Sequence, residues 1–422
     1  MEMPFGKHVI FLAAGASKHS GYPLANDLRL LISSRDKWEE ALSKYQDRIK
    51  TADVGKVQIA SLGLDFWDKY RNVINLFRNG GFATLDEFCK LAGNQLQPEI
   101  NGLRRLVRAA LGLFNPEEHF ENSEYYGFVQ ALFEADLKSL RNDVTILTYN
   151  YDPYLEFLLF RALEHRLLIR QAGKGGFMSP DDQAERTHHE SLLDAATSGF
   201  HNPSSQAWLK ADESEPRFCV LKLHGSICYQ KDQVADYDTL FSIDPRKRAE
   251  KLFLDLADHD TPPLLFPWEI MTDGGFVGRD SILFQQYKSL VPLFRGIWER
   301  ARREVQAADK ISFVGLSMHS FLTDGLKYLF GGKKKRVEAC LANPENVPFA
   351  RDRSETHWNR LPNSPANKLA DTFRNVAPGM SWCGYSLADK REDGDITLVR
   401  DFSEFIKTQM KPIPQSDPAR PV

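Results

Sequence analysis

Val9-Ile10-Phe11-Leu12-Ala13-Ala14-Gly15-Ala16-Ser17 reads as a short buried strand that runs into a turn of small residues, and a helix pattern follows from Tyr22 to Ile32. Four consecutive apolar residues closed by Ala and Gly suit a strand covered on both faces, as in a parallel sheet. Leu24, Leu28 and Leu31 then recur at spacings of four and three, on one face of a helix, and Pro23 suits a helix start. A strand, a tight small-residue turn and a helix form the unit from which open α/β sheets are built.

The same unit recurs along the chain. Val144-Thr145-Ile146-Leu147 is a second strand, and Tyr151, Leu155, Leu158, Leu159 and Ala162 mark an amphipathic helix behind it. Phe218 to Leu223 is a third strand. Val291, Phe294, Trp298, Ala301 and Val305 form the apolar stripe of a long helix that precedes strand Ile311 to Val314, and a last strand is expected over Val337 to Leu341. Between the first two strands, residues 36–139 are helical in pattern, with Trp38, Leu42 and Tyr45 early and Phe66, Tyr70, Ile74 and Phe77 later. The expected organisation is a domain formed by residues 1–35 and 140–410, a helical insertion over 36–139, a flexible surface excursion over 171–215 and a disordered tail over 411–422.

Composition sets the class. The 422 residues are 42% hydrophobic and 26% charged with a formal net charge of -3, so there is ample core and no global basic field for nucleic acid or acidic lipid. The one single-sign run, Lys333-Lys334-Lys335-Arg336, reads as a solvated loop or a local anion contact. The five cysteines are odd in number and widely spaced, which gives neither a disulfide framework nor a paired zinc motif and suggests a reducing, cytoplasmic setting. His188-His189 lacks a spaced third ligand and is assigned no metal. No segment approaches membrane length, and the apolar run after Lys7 fits a strand better than a signal peptide.

Chemistry gathers where the strands end. The small residues Ala13 to Ala16 let backbone N–H groups approach a pyrophosphate, although an ordinary tight turn has the same composition. Thr148-Tyr149-Asn150-Tyr151-Asp152 puts a carboxamide and a carboxylate two residues apart just past a strand end, where both can face a ribose; Asp152 before Pro153 also suits an Asx cap for the next helix. His224 follows strand three with Gly225 beside it, and an imidazole of ordinary pKa near 6.5 is the natural general base at neutral pH.

These stretches resemble the sirtuin family. Ala13 through Ser17 and then Ser20-Gly21-Tyr22-Pro23 is similar to the signature G-A-G-x-S followed by S-G-x-P, with Ala13 in place of the first glycine. Thr148 to Asp152 resembles T-Q-N-x-D with Tyr149 in place of glutamine, Leu223-His224-Gly225-Ser226 resembles the histidine motif, and Gly315-Leu316-Ser317 resembles the later G-x-S loop. The resemblance spans Lys7 to Asn343 outside the helical insertion, and Asp324, Trp268 and Trp298 fit the zinc-free branch found beside bacterial defence genes. It implies a Rossmann-like, mostly parallel open sheet with helices on both faces and no zinc module. It further implies catalytic roles for Asn150, Asp152 and His224, and dinucleotide contacts from Ala14, Gly15, Ala16, Ser17, Ser20, Tyr149, Gly315, Ser317 and Asn343.

Because the cysteine module that shapes the acyl-lysine cleft is missing, water is the expected acceptor. The implied activity is hydrolysis of NAD+ to nicotinamide and ADP-ribose in anti-phage defence, with NAD+ as substrate and no metal. Activity is expected to be gated by homo-oligomerisation or by a separate partner, a HerA-type ATPase first and a short Argonaute second. A non-hydrolysing NAD or ADP-ribose sensor and a nucleic-acid-binding or nuclease subunit are the alternatives.

Overall fold

The computed structural model describes residues 6–48, 53–82, 85–92, 96–114, 124–133, 140–162, 218–229, 249, 252–253, 263–266, 269, 271–272, 275–276, 290–316, 323–332, 338–342, 396–399 and 402–410. The chain folds as an α/β protein on a sheet of six parallel strands. They are β1 (His8–Leu12), β2 (Val144–Thr148), β3 (Cys219–Lys222), β6 (Lys310–Val314), β7 (Glu338–Ala342) and β8 (Ile396–Val399). Two-residue strands β4 (Met271–Thr272) and β5 (Gly275–Phe276) form a separate antiparallel pair.

The sheet order is β3-β2-β1-β6-β7-β8. Counting only the parallel strands, it reads 3-2-1-4-5-6, so the chain winds outward from β1 in one direction and from β6 in the other. Loops that leave the carboxyl ends of β1 and β6 therefore diverge, and open parallel sheets bind ligands at that kind of reversal. Every residue of β1, β2 and β3 is buried, which accounts for the unbroken apolar runs in their sequences.

Strand boundaries depart from the sequence expectation by one residue or so at either end, within the usual fraying of element ends. The helix expected from Tyr22 begins instead at Ala25 and ends at Ser33. Residues before it form a turn of 3-10 helix, Lys18–Ser20, closed by Gly21 at φ 86°, so Pro23 lies in the approach and not in the first turn. Asp27 accepts from the Leu24 N–H at 3.2 Å and fixes the start.

Between β1 and β2 the described residues carry the helices Arg35–Arg48, Asp53–Lys69, Arg71–Asn79, Leu85–Ala92, Gln97–Gly112 and Glu124–Ala131. The Phe66, Tyr70, Ile74 and Phe77 stripe crosses a break at Tyr70 yet stays buried. Buried apolar residues of these helices form one continuous core with those of the sheet. Trp67 Nε1 donates to Ile32 O at 3.1 Å and Trp38 Nε1 to Gly63 O at 3.0 Å, so the indole N–H groups are satisfied inside that core.

The helix Val291–Ala307 spans the height of the sheet. Midway along it, Trp298 Nε1 donates to Leu223 O, just past the end of β3, at 3.0 Å. Near its end, buried Glu304 accepts from Thr145 at 2.9 Å and pairs with Arg300 and Lys7 at the amino edge. That charge cluster locks the edge opposite the strand ends where the site gathers.

A sixth parallel strand, β8, and the helix Phe402–Gln409 after it had no counterpart in the sequence reading. No helix of the described residues is long and apolar enough to cross a membrane.

Candidate functional site

The loops after β1 and β6 meet backbone to backbone. Ala13 N–H donates to Val314 O at 3.0 Å and Gly15 N–H to Gly315 O at 3.1 Å, which extends the parallel ladder past the strand ends. A Cβ on Gly15 would lie 2.6 Å from Gly315 Cα, and one on Gly315 would lie 2.3 Å from Ala16 N. Gly315 also sits at φ 65°, the left-handed region that side chains resist. Glycine is thus required at both positions by contact, and at one by conformation as well. Ala13, at φ -126°, is extended backbone, so its methyl group meets no conformational penalty here. Gly315→Ala is expected to lower stability by at least about 2 kcal/mol, from strain and the forced separation of the two loops. A urea midpoint equal to wild type would contradict this contact.

Because Gly15 and Ala16 spend their N–H groups on Gly315 O and Ala13 O, the expected open cradle of amides is partly closed in this state. Ala14 and Gly15 remain half-buried at its rim. Ser17 turns inward from the end of the short helix Ala14–Ser17 and is buried. Its hydroxyl accepts from Asn150 Nδ2 at 3.1 Å and is also hydrogen-bonded to the Asp152 carboxyl and to the Tyr125 hydroxyl. One serine after β1 therefore joins both polar residues of the motif after β2.

The turn after β2 is held from several sides. Asn150 N–H donates to Thr148 Oγ1 at 3.0 Å, and Tyr154 N–H donates to Asp152 Oδ1 at 3.2 Å, so Asp152 does act as an Asx cap for the helix that starts at residue 154. The capping and ligand-facing readings of Asp152 are compatible, since Ser17 contacts the same carboxyl. Lys222, the last residue of β3, reaches across and donates from Nζ to Asp152 O at 2.5 Å while pairing with Glu156 Oε1 at 2.9 Å. Burial pushes the Asp152 and Glu156 carboxyls up, against the opposing pull of the Lys222 ammonium.

His224 follows β3 by one residue, and Gly225 beside it has φ 81° with Pro263 O only 2.3 Å from where a Cβ would stand. Its ring lies against Tyr149, Tyr151 and Trp298, with centroids 4.9, 6.2 and 6.4 Å away. Asn150 thus sits between two tyrosines that both flank the histidine. Leu265 N–H donates to His224 O at 2.9 Å and Tyr151 hydroxyl to Leu265 O at 3.1 Å, so the 263–266 segment backs the histidine. That segment is tied in turn to buried Arg104, whose Nε donates to Leu264 O at 2.9 Å and whose guanidinium pairs with Glu269.

The ordinary histidine pKa assumed from sequence does not hold: among the described residues the ring has no hydrogen-bond partner, and burial lowers its pKa to about 3. The imidazole is neutral at neutral pH, free to accept a proton, but a weak base until negative charge approaches it. Buried His8 at the opposite edge is likewise held well below the usual range, chiefly by burial. Both residues bind protons on unfolding at any pH below about 6.5 and above their native values. The stability they contribute is complete above that pH and falls on acidification, by about 1.4 kcal/mol per pH unit for each. The urea midpoint should therefore drop between pH 7 and pH 5.5; an unchanged midpoint would contradict the neutral burial of these rings.

Among the described residues, the buried hydroxyls of Ser20 and Tyr149 have no hydrogen-bond partner. Ser17, Ser20, Tyr149, Asn150, Asp152, His224 and Gly315 therefore all lie in the segments that leave the carboxyl edge of the sheet, Ser17 and Ser20 in short helical turns and the others in loops, after β1, β2, β3 and β6. Ser317, Asn343, Trp268, the Lys333 to Arg336 run, His188-His189 and the 171–215 stretch lie outside the described residues. Three contributors escaped the sequence reading: Tyr125, Glu156 and Lys222 as an ion-pair partner. A lone lysine between Leu221 and Leu223, and a glutamate between Leu155 and Leu158 on an apolar helix face, were the available signals.

The chain matches no protein-family model and no curated protein.

Proposed function

We propose that this chain is a sirtuin-like NAD+ glycohydrolase built on a Rossmann-like sheet, cleaving NAD+ to nicotinamide and ADP-ribose. The observation that carries the reading is the convergence of Ser17, Asn150 and Asp152 in one hydrogen-bonded cluster, with His224 packed between the tyrosines on either side of Asn150. The 3-2-1-4-5-6 strand order supports it, because that order belongs to dinucleotide-binding sheets.

In this reading Ser17 and the Ala14 to Ala16 turn meet the diphosphate side, Gly315 and Ser317 the neighbouring ribose, and Asn343 the adenosine ribose. The C–N bond to nicotinamide breaks with its electron pair leaving on the pyridine nitrogen, and water adds to the ribose carbon. Asn150 orients that water or the ribose hydroxyls, Asp152 offsets the developing positive charge, and His224 takes the proton released by the water. Negative phosphate near His224 raises its basicity from the depressed value of the free chain.

The near-complete burial of Ser17, Asn150, Asp152 and His224 supports gating: the site opens only with assembly or a partner. We propose a homo-oligomer acting with a HerA-type ATPase, or alternatively a short Argonaute, as an abortive effector against phage. A second reading, a non-hydrolysing NAD or ADP-ribose sensor, is favoured by the weak basicity of His224.

Incubation of NAD+ with the protein in ¹⁸O-water separates these readings. Hydrolysis places one heavy oxygen on ADP-ribose with an equal amount of free nicotinamide. Bound, intact NAD+ would establish the sensor, and ADP-ribose recovered on protein would establish a transferase.

A further inference from the structure

The buried Ser17 hydroxyl meets three polar side chains: Asn150 at 3.1 Å, the Asp152 carboxyl and the Tyr125 hydroxyl. A hydroxyl donates once and accepts twice, so these three bonds fill it and their directions depend on one another. Ionised Asp152 can only accept, so it takes the serine proton. The two serine lone pairs are then left for Asn150 Nδ2 and for the proton of Tyr125. Burial, and after it the charges of Asp152 and Glu156, push the Tyr125 phenol well above its usual range, so it stays a donor at neutral pH. Were the serine proton turned to Tyr125 instead, serine and carboxylate would face each other with lone pairs only. Donation along Tyr125, Ser17 and Asp152 polarises each bond and favours the ionised carboxyl. That matters at Asp152, which burial pushes up and which the Lys222 ammonium and the Tyr154 N–H pull down, with Glu156 on the helix that it caps as the other nearby charge. The helix Glu124–Ala131 is fixed for this task. The Tyr125 ring packs edge-on against Tyr154 at 5.3 Å, Phe128 lies 6.4 Å from Phe405, and Arg141 N–H donates to Leu132 O at 2.8 Å where the chain enters β2.

We propose that Tyr125 is a positioning residue for the reaction: by donating to Ser17 it directs the serine proton onto Asp152 and makes Asn150 present Nδ2 to the serine, which leaves Oδ1 to accept from water or a ribose hydroxyl. The inference rests on the hydrolase reading above and adds to it a residue from a helix between β1 and β2 that touches no substrate. Its effect passes through Ser17 to the two side chains that do the work, one kept as an anion and the other kept in one amide orientation.

The test is Tyr125→Phe in the full chain, which keeps the ring contacts with Tyr154 and Phe128. Two readouts are taken: the pH profile of NAD+ cleavage, and the carboxyl ¹³C titration of Asp152 in protein labelled at aspartate, its signal identified by its loss in Asp152→Asn. The Asp152 midpoint and the acid limb of kcat should both move up by about one pH unit, so that on that limb kcat falls about tenfold while KM stays within about twofold. An Asp152 midpoint and an acid limb both unchanged from wild type would overturn the proposal and reduce the Tyr125 bond to a structural one. A raised KM with an unmoved limb would overturn it as well, by placing Tyr125 against the ligand. If wild type leaves NAD+ intact while the Asp152 midpoint still moves in Tyr125→Phe, the hydrolase reading fails alone and the proton placement stands.

Discussion

Asn150→Ala and His224→Ala are each expected to reduce nicotinamide release from NAD+ by about 10²- to 10⁴-fold, the usual worth of a positioned proton acceptor or of the group that orients its water. The fold should survive both changes. Asn150 contributes one side-chain hydrogen bond, to Ser17, and Ser17 keeps its contacts with Asp152 and Tyr125 when that bond is lost. His224 contributes ring packing against Tyr149, Tyr151 and Trp298, while the strand end that carries it is held by backbone bonds from Leu265 and by the Trp298 indole. Losses of activity in soluble variants with cooperative unfolding would thus report on chemistry. Full activity in either purified variant would remove that residue from the mechanism.

The largest effect on stability should come from Lys222→Met. Lys222 is 1% exposed and Glu156 is fully buried, and the same ammonium holds the Asp152 carbonyl. Removing one partner of a buried ion pair strands the other charge in a low-dielectric interior, at a cost of about 3–5 kcal/mol. Replacing both partners with apolar residues of similar size avoids that cost, so Lys222→Met with Glu156→Met should recover much of the loss. A double-mutant cycle by urea denaturation measures this coupling. A single Lys222→Met variant within about 0.5 kcal/mol of wild type would show that the pair does not hold the turn.

Much of this architecture was legible in the sequence because the central strands are buried on both faces. Val9 to Leu12, Val144 to Leu147 and Ile311 to Val314 form apolar runs too short for helices and closed by small or polar residues, and each is a strand. Asn150, Asp152 and His224 were legible because each follows such a run closely. The strand Ile396–Val399 was not, since a four-residue edge element carries little periodic signal. Contacts made across sequence distance were also hidden: Tyr125 reaches Ser17 from a helix more than a hundred residues away, and the Arg104 pair with Glu269 spans a still longer stretch. The depressed basicity of His224 depends on three aromatic neighbours, of which only the two flanking Asn150 lie in a recognised motif.

NAD+ cleavage itself is tested most directly by following nicotinamide release by the purified chain, alone and with the product of its neighbouring gene, beside His224→Ala. The account predicts release in at least one of those two conditions, equimolar with ADP-ribose, and its loss in His224→Ala. Release that is unchanged in His224→Ala, or NAD+ left intact under both conditions, would contradict it.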